Sequence, residues 1–328
     1  MTKMTIIKCQ GPNLDSKNDN VETTISSFQS LKLITILFYV VRGVILIVLG
    51  SDLTSADLIG YQLAKFIGYF LIGIFAAIVA NSTGAGGGIV FLPVFMVLGL
   101  SPAESLATSL AIQCFGMSSG SLAWIRYKRK KMSRLSIQWS SFHLILVAGI
   151  PSSWCGIFFG QYLMAHPPIN VELLFSLFSL MVGGAILFSA LMAANDTHCR
   201  KAQISKQELA GIVLVCLVGG CITAWISIGF GELLAIYLLF IGFRINVAVA
   251  SAVCVSAASV LIAVVFYVTE PLLVNLNLLV FAAPGALIGG ALARPIATSI
   301  GAQNLKLAMS SWIILTSLIY LVPNLVFA

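Results

Sequence analysis

Residues 81–93 read N-S-T-G-A-G-G-G-I-V-F-L-P, and residues 224–236, A-W-I-S-I-G-F-G-E-L-L-A-I, repeat the pattern in weaker form 143 positions later. In this register Gly86 falls on Gly229, Gly88 on Gly231, Gly99 on Gly242, Ala107 on Ala250 and Thr108 on Ser251. Each copy is a polar or glycine-rich break followed by an apolar stretch of about a dozen residues. At about 1.5 Å per residue such a stretch covers roughly 18 Å, against about 30 Å for a bilayer core. A helix that short cannot cross alone, so each break is expected inside the membrane. Short, broken segments paired in two matching halves are how secondary transporters build a site near the midplane.

The composition fits that reading. Hydrophobic residues make up 59% of the 328-residue chain and charged residues 9%, where soluble domains carry about 25% charge. Apolar runs of membrane-spanning length follow one another, and the ten-residue alternating segments of an outer-membrane barrel are not seen. A net charge of +7 invites a nucleic-acid partner, but the basic residues sit between spans, and positive-inside bias accounts for the sign. Of the seven cysteines, Cys114, Cys155, Cys216, Cys221 and Cys254 fall in apolar runs and read as small hydrophobes. No spacing suggests a metal site or disulfide framework, and no cofactor is expected.

Spans are predicted near residues 31–50, 60–80, 88–99, 103–125, 139–161, 171–194, 208–225, 231–243, 246–268, 273–293 and 305–323. The fold class is therefore an all-α polytopic membrane protein. Two repeats of about five segments each contain one short broken helix, and one extra helix precedes them. The chain divides into a polar cytoplasmic tail (1–30), the extra helix with an external loop (31–57), repeat 1 (58–195), a cytoplasmic linker (196–207) and repeat 2 (208–328). The tail lacks the apolar core and cleavage site of a signal peptide.

Five segments per half is an odd number, so the second half should enter the membrane from the opposite side. Loop charges give the same answer independently. If the basic loop Arg126–Arg134 (RYKRKKMSR) is cytoplasmic, the inside also receives Arg200, Lys201, Lys206, Arg244, Arg294 and Lys306. Asp52, Asp57, Glu104, Glu172 and Glu270 fall outside, with Lys65 the one basic exception. The expectation is a multi-pass protein of the plasma (inner) membrane with inverted repeats, the N-terminus inside and the C-terminus outside. The helix N-termini after the two breaks would then converge from opposite faces. Their unpaired N–H groups carry partial positive charge and would attract an anion, which glycine lets approach the backbone closely.

G-A-G-G-G before a short apolar helix with Pro93, then G-L-S-P-A-E-S-L-A-T-S-L, then the R-Y-K-R-K-K loop, resembles the TauE/SafE sulfite exporter family, also called the toluene sulfonate uptake permeases. G-F-G-E-L-L and A-V-A-S-A are similar to its second-half motif, although Phe230 interrupts the glycine run. Pro284 with Gly285, Gly289 and Gly290 resembles a later P-G-x-x-x-G-G stretch, and Pro151 with Gly156 repeats part of it. The likeness covers roughly residues 66–322. It implies a secondary transporter of sulfite, sulfonates, related organosulfur anions or small carboxylates, with direction left open.

The candidate substrate-binding residues are Asn81, Ser82, Thr83, Gly84, Gly86, Gly87, Gly88, Thr108, Ser109, Gln113, Trp225, Gly229, Gly231 and Ser251. Ser256 belongs to the same polar group. Taken singly, each Ser or Thr is equally a packing residue, so the signal is their concentration at the breaks. Trp154 and Trp225 read either as cavity walls or as packing and interface anchors. Glu232 reads two ways: an acid favoured by the helix dipole at the external boundary, or an intramembrane group coupling transport to protons or a cation. Arg42, in the extra helix with Lys32, is assigned a structural role, and Arg294 a topological one.

Gly116–Gly120 satisfies G-x-S-x-G and His143 lies on the next span, but a nucleophile elbow needs a strand-turn-helix context that a membrane helix does not supply. A serine hydrolase is thus a remote alternative and no catalytic residue is assigned. An anion channel on the same architecture is the nearer one. No phosphate-binding G-x-x-x-x-G-K-[ST] loop supports ATP-driven transport. The expected partners are a small anion, the lipid bilayer and a coupling proton or cation.

Overall fold

The computed structural model describes residues 56–135, 139–164, 167, 169–192, 203–269, 273–300, 304, 307, 310–318 and 321. The chain divides into two units, Met1–Asp52 and Leu53–Ala328, and all described residues belong to the second. The tail, the predicted helix 31–50 with Lys32 and Arg42, and linker residues 196–202 lie outside them.

Among the described residues the regular structure is helical. The elements are α1 (Ala56–Thr83), α2 (Gly88–Val97), α3 (Pro102–Leu135), α4 (Phe142–Phe158, continued by a π turn at Phe159–Leu163), α5 (Val171–Met192), α6 (Lys206–Ile226), α7 (Phe230–Phe240), α8 (Ile245–Thr269) and α9 (Leu276–Ile300). A last helical stretch runs over 310–318. Among the described residues, five segments are long and apolar enough to cross a bilayer, within α4, α5, α6, α8 and α9. The 10 residues of α2 and 11 of α7 reach only about 15 and 16 Å at 1.5 Å per residue.

One boundary corrects the sequence reading. The basic run 126–134 is not a loop, because α3 continues through it to Leu135. Arg, Lys and Met are good helix formers, and neither Gly nor Pro interrupts residues 121–135. Helix α6 begins at Lys206, inside the expected linker 196–207, and Ser205 caps it, its hydroxyl accepting from Glu208 N–H at 3.4 Å while the Glu208 carboxylate accepts from Ser205 N–H at 2.9 Å.

Several structural events recur at the 143-residue interval of the sequence. Helix α1 ends at Thr83 and α6 at Ile226; α3 begins at Pro102 and α8 at Ile245. The left-handed positions also pair, Gly84 (φ 86°) with Ser227 (φ 58°) and Gly99 (φ 83°) with Gly242 (φ 95°). Ser227 is the only one of the four with a side chain, and its hydroxyl is engaged in the network described below.

The fourth helices cross over. Helix α9 packs chiefly on α1 and α3, whereas α4 packs on α6 and α8. Glycine permits the approach: Gly289 of α9 lies against the Ile74 carbonyl of α1, and Gly156 of α4 against the Leu217 carbonyl of α6. A methyl group at either would collide with main chain. The largest buried cluster joins α3, α4, α6, α7 and α8, with Trp124, Phe142, Ile145, Ile212 and Phe230 inside it. A second joins α1, α2, α3 and α9, and a third sets Phe175 and Phe178 of α5 and Ile313 of the last stretch against Ile89, Leu92 and Ile228. The first turns of both short helices are therefore packed in protein, while their far ends are exposed at Val97 and Phe240.

Candidate substrate site

The two breaks touch, and they do so reciprocally. A Cβ placed on Gly88 would lie 2.5 Å from the Ser227 carbonyl oxygen, and one on Gly231 would lie 2.6 Å from that of Gly84. Gly88 and Gly231 are one repeat apart, and so are Gly84 and Ser227. The second break differs slightly from the sequence reading. It occupies Ser227–Gly229, so Gly231 lies inside the first turn of α7 and Phe230, buried, begins the helix.

The N–H groups at the breaks were expected to be unpaired. They are not. Gly86 N–H donates to Oε1 of Glu232 at 2.5 Å, and Gly229 N–H donates to Oε2 of the same carboxylate at 2.9 Å. Gly87 N–H donates to Oε1 of Gln113 at 2.9 Å, Phe230 N–H to the Thr223 hydroxyl at 3.3 Å, and Ala85 N–H to the Thr83 hydroxyl at 3.2 Å. The reason is general: a buried main-chain donor without a partner costs free energy, so the fold supplies one. Glu232 is 2% exposed and thus bridges the two halves.

Gln113 carries the network further. Its Nε2 donates to the Ser227 hydroxyl at 2.7 Å and to the Ser109 hydroxyl at 3.0 Å, and those hydroxyls are 3.0 Å apart. Ser109 and Gln113 lie one turn apart on α3 and so face the same way. The structure thus brings together Gly84, Gly86, Gly87, Gly88, Ser109, Gln113, Ser227, Gly229, Gly231 and Glu232. Ser227 was missed in the sequence; its signal was alignment with Gly84 at a position requiring left-handed backbone.

Other candidates sit elsewhere or face other partners. Ser82 and Thr83 return their hydroxyls to carbonyls of α1, those of Ile78 and Val79. Thr108 accepts from Asn275 N–H at 2.9 Å, beside Glu104, where α9 starts. Trp225 donates to the carbonyls of Gly160 and Met164 at the end of α4, and Trp154 to Ala258; both indoles anchor helices. Ser251 is fully buried and its hydroxyl has no partner. The Ser256 hydroxyl would lie 2.6 Å from a Cβ on Gly231. Asn81 donates to Ala77 and Gly116 carbonyls, leaving Oδ1 without a partner. It lines a small cavity with Gly87, Phe91, Gln113, Met117 and Ala286, with room for about one water.

The hydrolase alternative finds no support in the geometry. Gly116–Gly120 lies within continuous helix α3, and His143 Nε2 pairs with Lys128 Nζ at 2.7 Å. Among the described residues no cluster of His, Cys, Asp or Glu forms a metal site.

Long apolar helices enclosing two short ones, with polar groups gathered where the short ones begin, define an integral multi-pass membrane protein of transporter type. The sequence model of the sulfite exporter TauE/SafE family matches residues 69–320, and the chain belongs to that family. It is 24% identical over 273 residues to the "Probable membrane transporter protein YunE" of Bacillus subtilis (strain 168), covering 76% of this chain and 95% of that one. It is 28% identical over 160 residues to "Sulfite exporter TauE/SafE family protein 3" of Arabidopsis thaliana, 49% of this chain and 31% of the plant protein. No solved structure matches.

Proposed function

We propose that the protein is a secondary transporter of small sulfur-containing anions, sulfite or sulfonates, which bind where the two breaks meet. The observation that carries this reading is the reciprocal contact of Gly88 with Ser227 and Gly231 with Gly84. Two breaks related in this way present helix N-termini to one locus, where main-chain N–H groups favour negative charge. The choice of a sulfur anion rests on the family and on the plant relative's name.

The same contacts, the crossed packing of α4 and α9, and the distribution of loop charge support two inverted repeats with the N-terminus inside. In such an arrangement one half rocks against the other around a fixed site and opens it to each side in turn. Glu232 is the proton-coupling group in this reading. It has no oppositely charged partner among the described residues, only main-chain donors, and an ionisable group at that depth is costly unless it serves a pathway.

Purified protein in liposomes tests the proposal. Labelled sulfite, methanesulfonate and acetate are offered with and without an imposed pH gradient. Saturable, gradient-dependent movement of the sulfur anions is expected. Flux linear in concentration would identify a channel, and transport of acetate alone would move the substrate class to carboxylates.

A further inference from the structure

Resting on that reading, we propose that the Glu232 carboxylate is a tethered occupant of the substrate site, holding the place that the oxyanion head of the substrate takes during transport. Each of its two oxygens accepts one main-chain N–H, and the donors, Gly86 and Gly229, belong to different halves of the chain. The receptor is thus built for two oxygens on one atom, roughly 2 Å apart as bond geometry fixes them. Carboxylate, sulfonate and sulfite share that feature; a halide does not. Two hydrogen bonds to charge from separate elements give directional recognition and not only attraction to positive potential.

A small apolar cavity, with room for about one water, lies beside this receptor. The small cavity reaches Gly87 and Gln113, whose own hydrogen bond adjoins the Glu232 contact. A Cβ on Gly86 would lie 3.2 Å from Gln113 Oε1 and 3.3 Å from Glu232 Oε1, so the two acceptors share one small space. Asn81 lines the same cavity and is fully buried, but its unpartnered Oδ1 lies against Gly120 of α3, which is not part of the cavity wall.

The consequence is competition within one molecule. An incoming anion meets a site already held by a carboxylate at high effective concentration, so the apparent affinity of the intact protein understates that of the receptor. Removing the tether opens the receptor.

The test is chemical rescue, read as thermal unfolding of the full-length protein in detergent. Glu232→Ala should melt below wild type, and formate, methanesulfonate or sulfite should restore its midpoint. Half-maximal restoration should come at concentrations about tenfold or more below those that shift wild type. Chloride at equal ionic strength should do neither. Equal response to chloride and formate, or no restoration by any oxyanion, overturns the proposal. If Glu232→Ala does not fold, Glu232→Gln in the same assay should bind oxyanions more tightly than wild type; equal or weaker binding overturns it. Saturable sulfite flux by wild type without rescue of the variant leaves the transport reading standing and removes this one. Rescue without any flux does the reverse.

Discussion

Trp124 donates its indole N–H to the main-chain carbonyl of Asn81 at 2.9 Å, in the last turn of α1. Tyr267, one repeat later, donates its phenol O–H to the carbonyl of Ala224 at 3.1 Å, and Ala224 stands one repeat after Asn81. The chemistry differs but the task is the same. Where a helix breaks, its last carbonyls lose their partners four residues on. At Asn81 that partner would be Ala85 N–H, which turns to the Thr83 hydroxyl. An aromatic donor from the third helix of each half fills the gap.

Trp124→Phe and Tyr267→Phe should each lower stability by about 1 kcal/mol, more if the carbonyl stays buried and unpaired. Because the sites are separate, the double variant should show the sum of the two losses. Thermal unfolding of the single and double variants in detergent checks this. An unchanged midpoint in either single variant removes the anchoring role.

Gly88→Ala places a methyl group against a main-chain carbonyl and 2.8 Å from a side-chain carbon of Ile228. Neither can yield without moving the second break. Overpacking of this kind costs about 1–3 kcal/mol, and the misplaced break should reduce transport by about tenfold or more. The measurement is initial flux at matched incorporation; wild-type flux would show that the breaks need not touch.

Gln113→Leu keeps bulk but removes the acceptor for Gly87 N–H and the donors to Ser109 and Ser227. An orphaned buried donor costs about 1–3 kcal/mol. Thermal unfolding in detergent should show a lower midpoint and liposome flux a higher sulfite KM; a wild-type midpoint would show that Gln113 does not support the break.

Topology is tested by cysteine labelling in a background lacking native cysteines. A cysteine at Lys130 should react in intact cells only with membrane-permeant reagent, and one at Glu172 also with impermeant reagent. The opposite pattern would invert the orientation drawn from loop charge.

The helix ends were legible to within a few residues because glycine and chain periodicity are local signals, although the second break, expected at Gly229–Gly231, lies at Ser227–Gly229. Thr83 and Ile226, Pro102 and Ile245 fall at the expected interval for that reason. Partnerships across the halves were not legible. Nothing near Gly86 in the chain announces that its N–H is taken by a carboxylate 146 residues away. The same holds for α4 and α9, whose crossed packing is set by tertiary contacts at Gly156 and Gly289. The basic run 126–134 was read as a loop because charge was weighed before helix propensity. Trp225 was placed at the site by its nearness in sequence to the second break, whereas its indole turns to the end of α4.

In the proposed function the two breaks together bind the transported oxyanion. Gly86 is where a side chain would intrude between them, its Cβ 3.2 Å from both the Ser227 carbonyl and Gln113 Oε1. Labelled sulfite uptake into liposomes carrying wild type or Gly86→Val at equal incorporation therefore tests it most directly. Saturable uptake by wild type is expected, with a loss of kcat/KM of about tenfold or more in the variant and the variant still folded. Uptake by Gly86→Val with wild-type kcat and KM would contradict it.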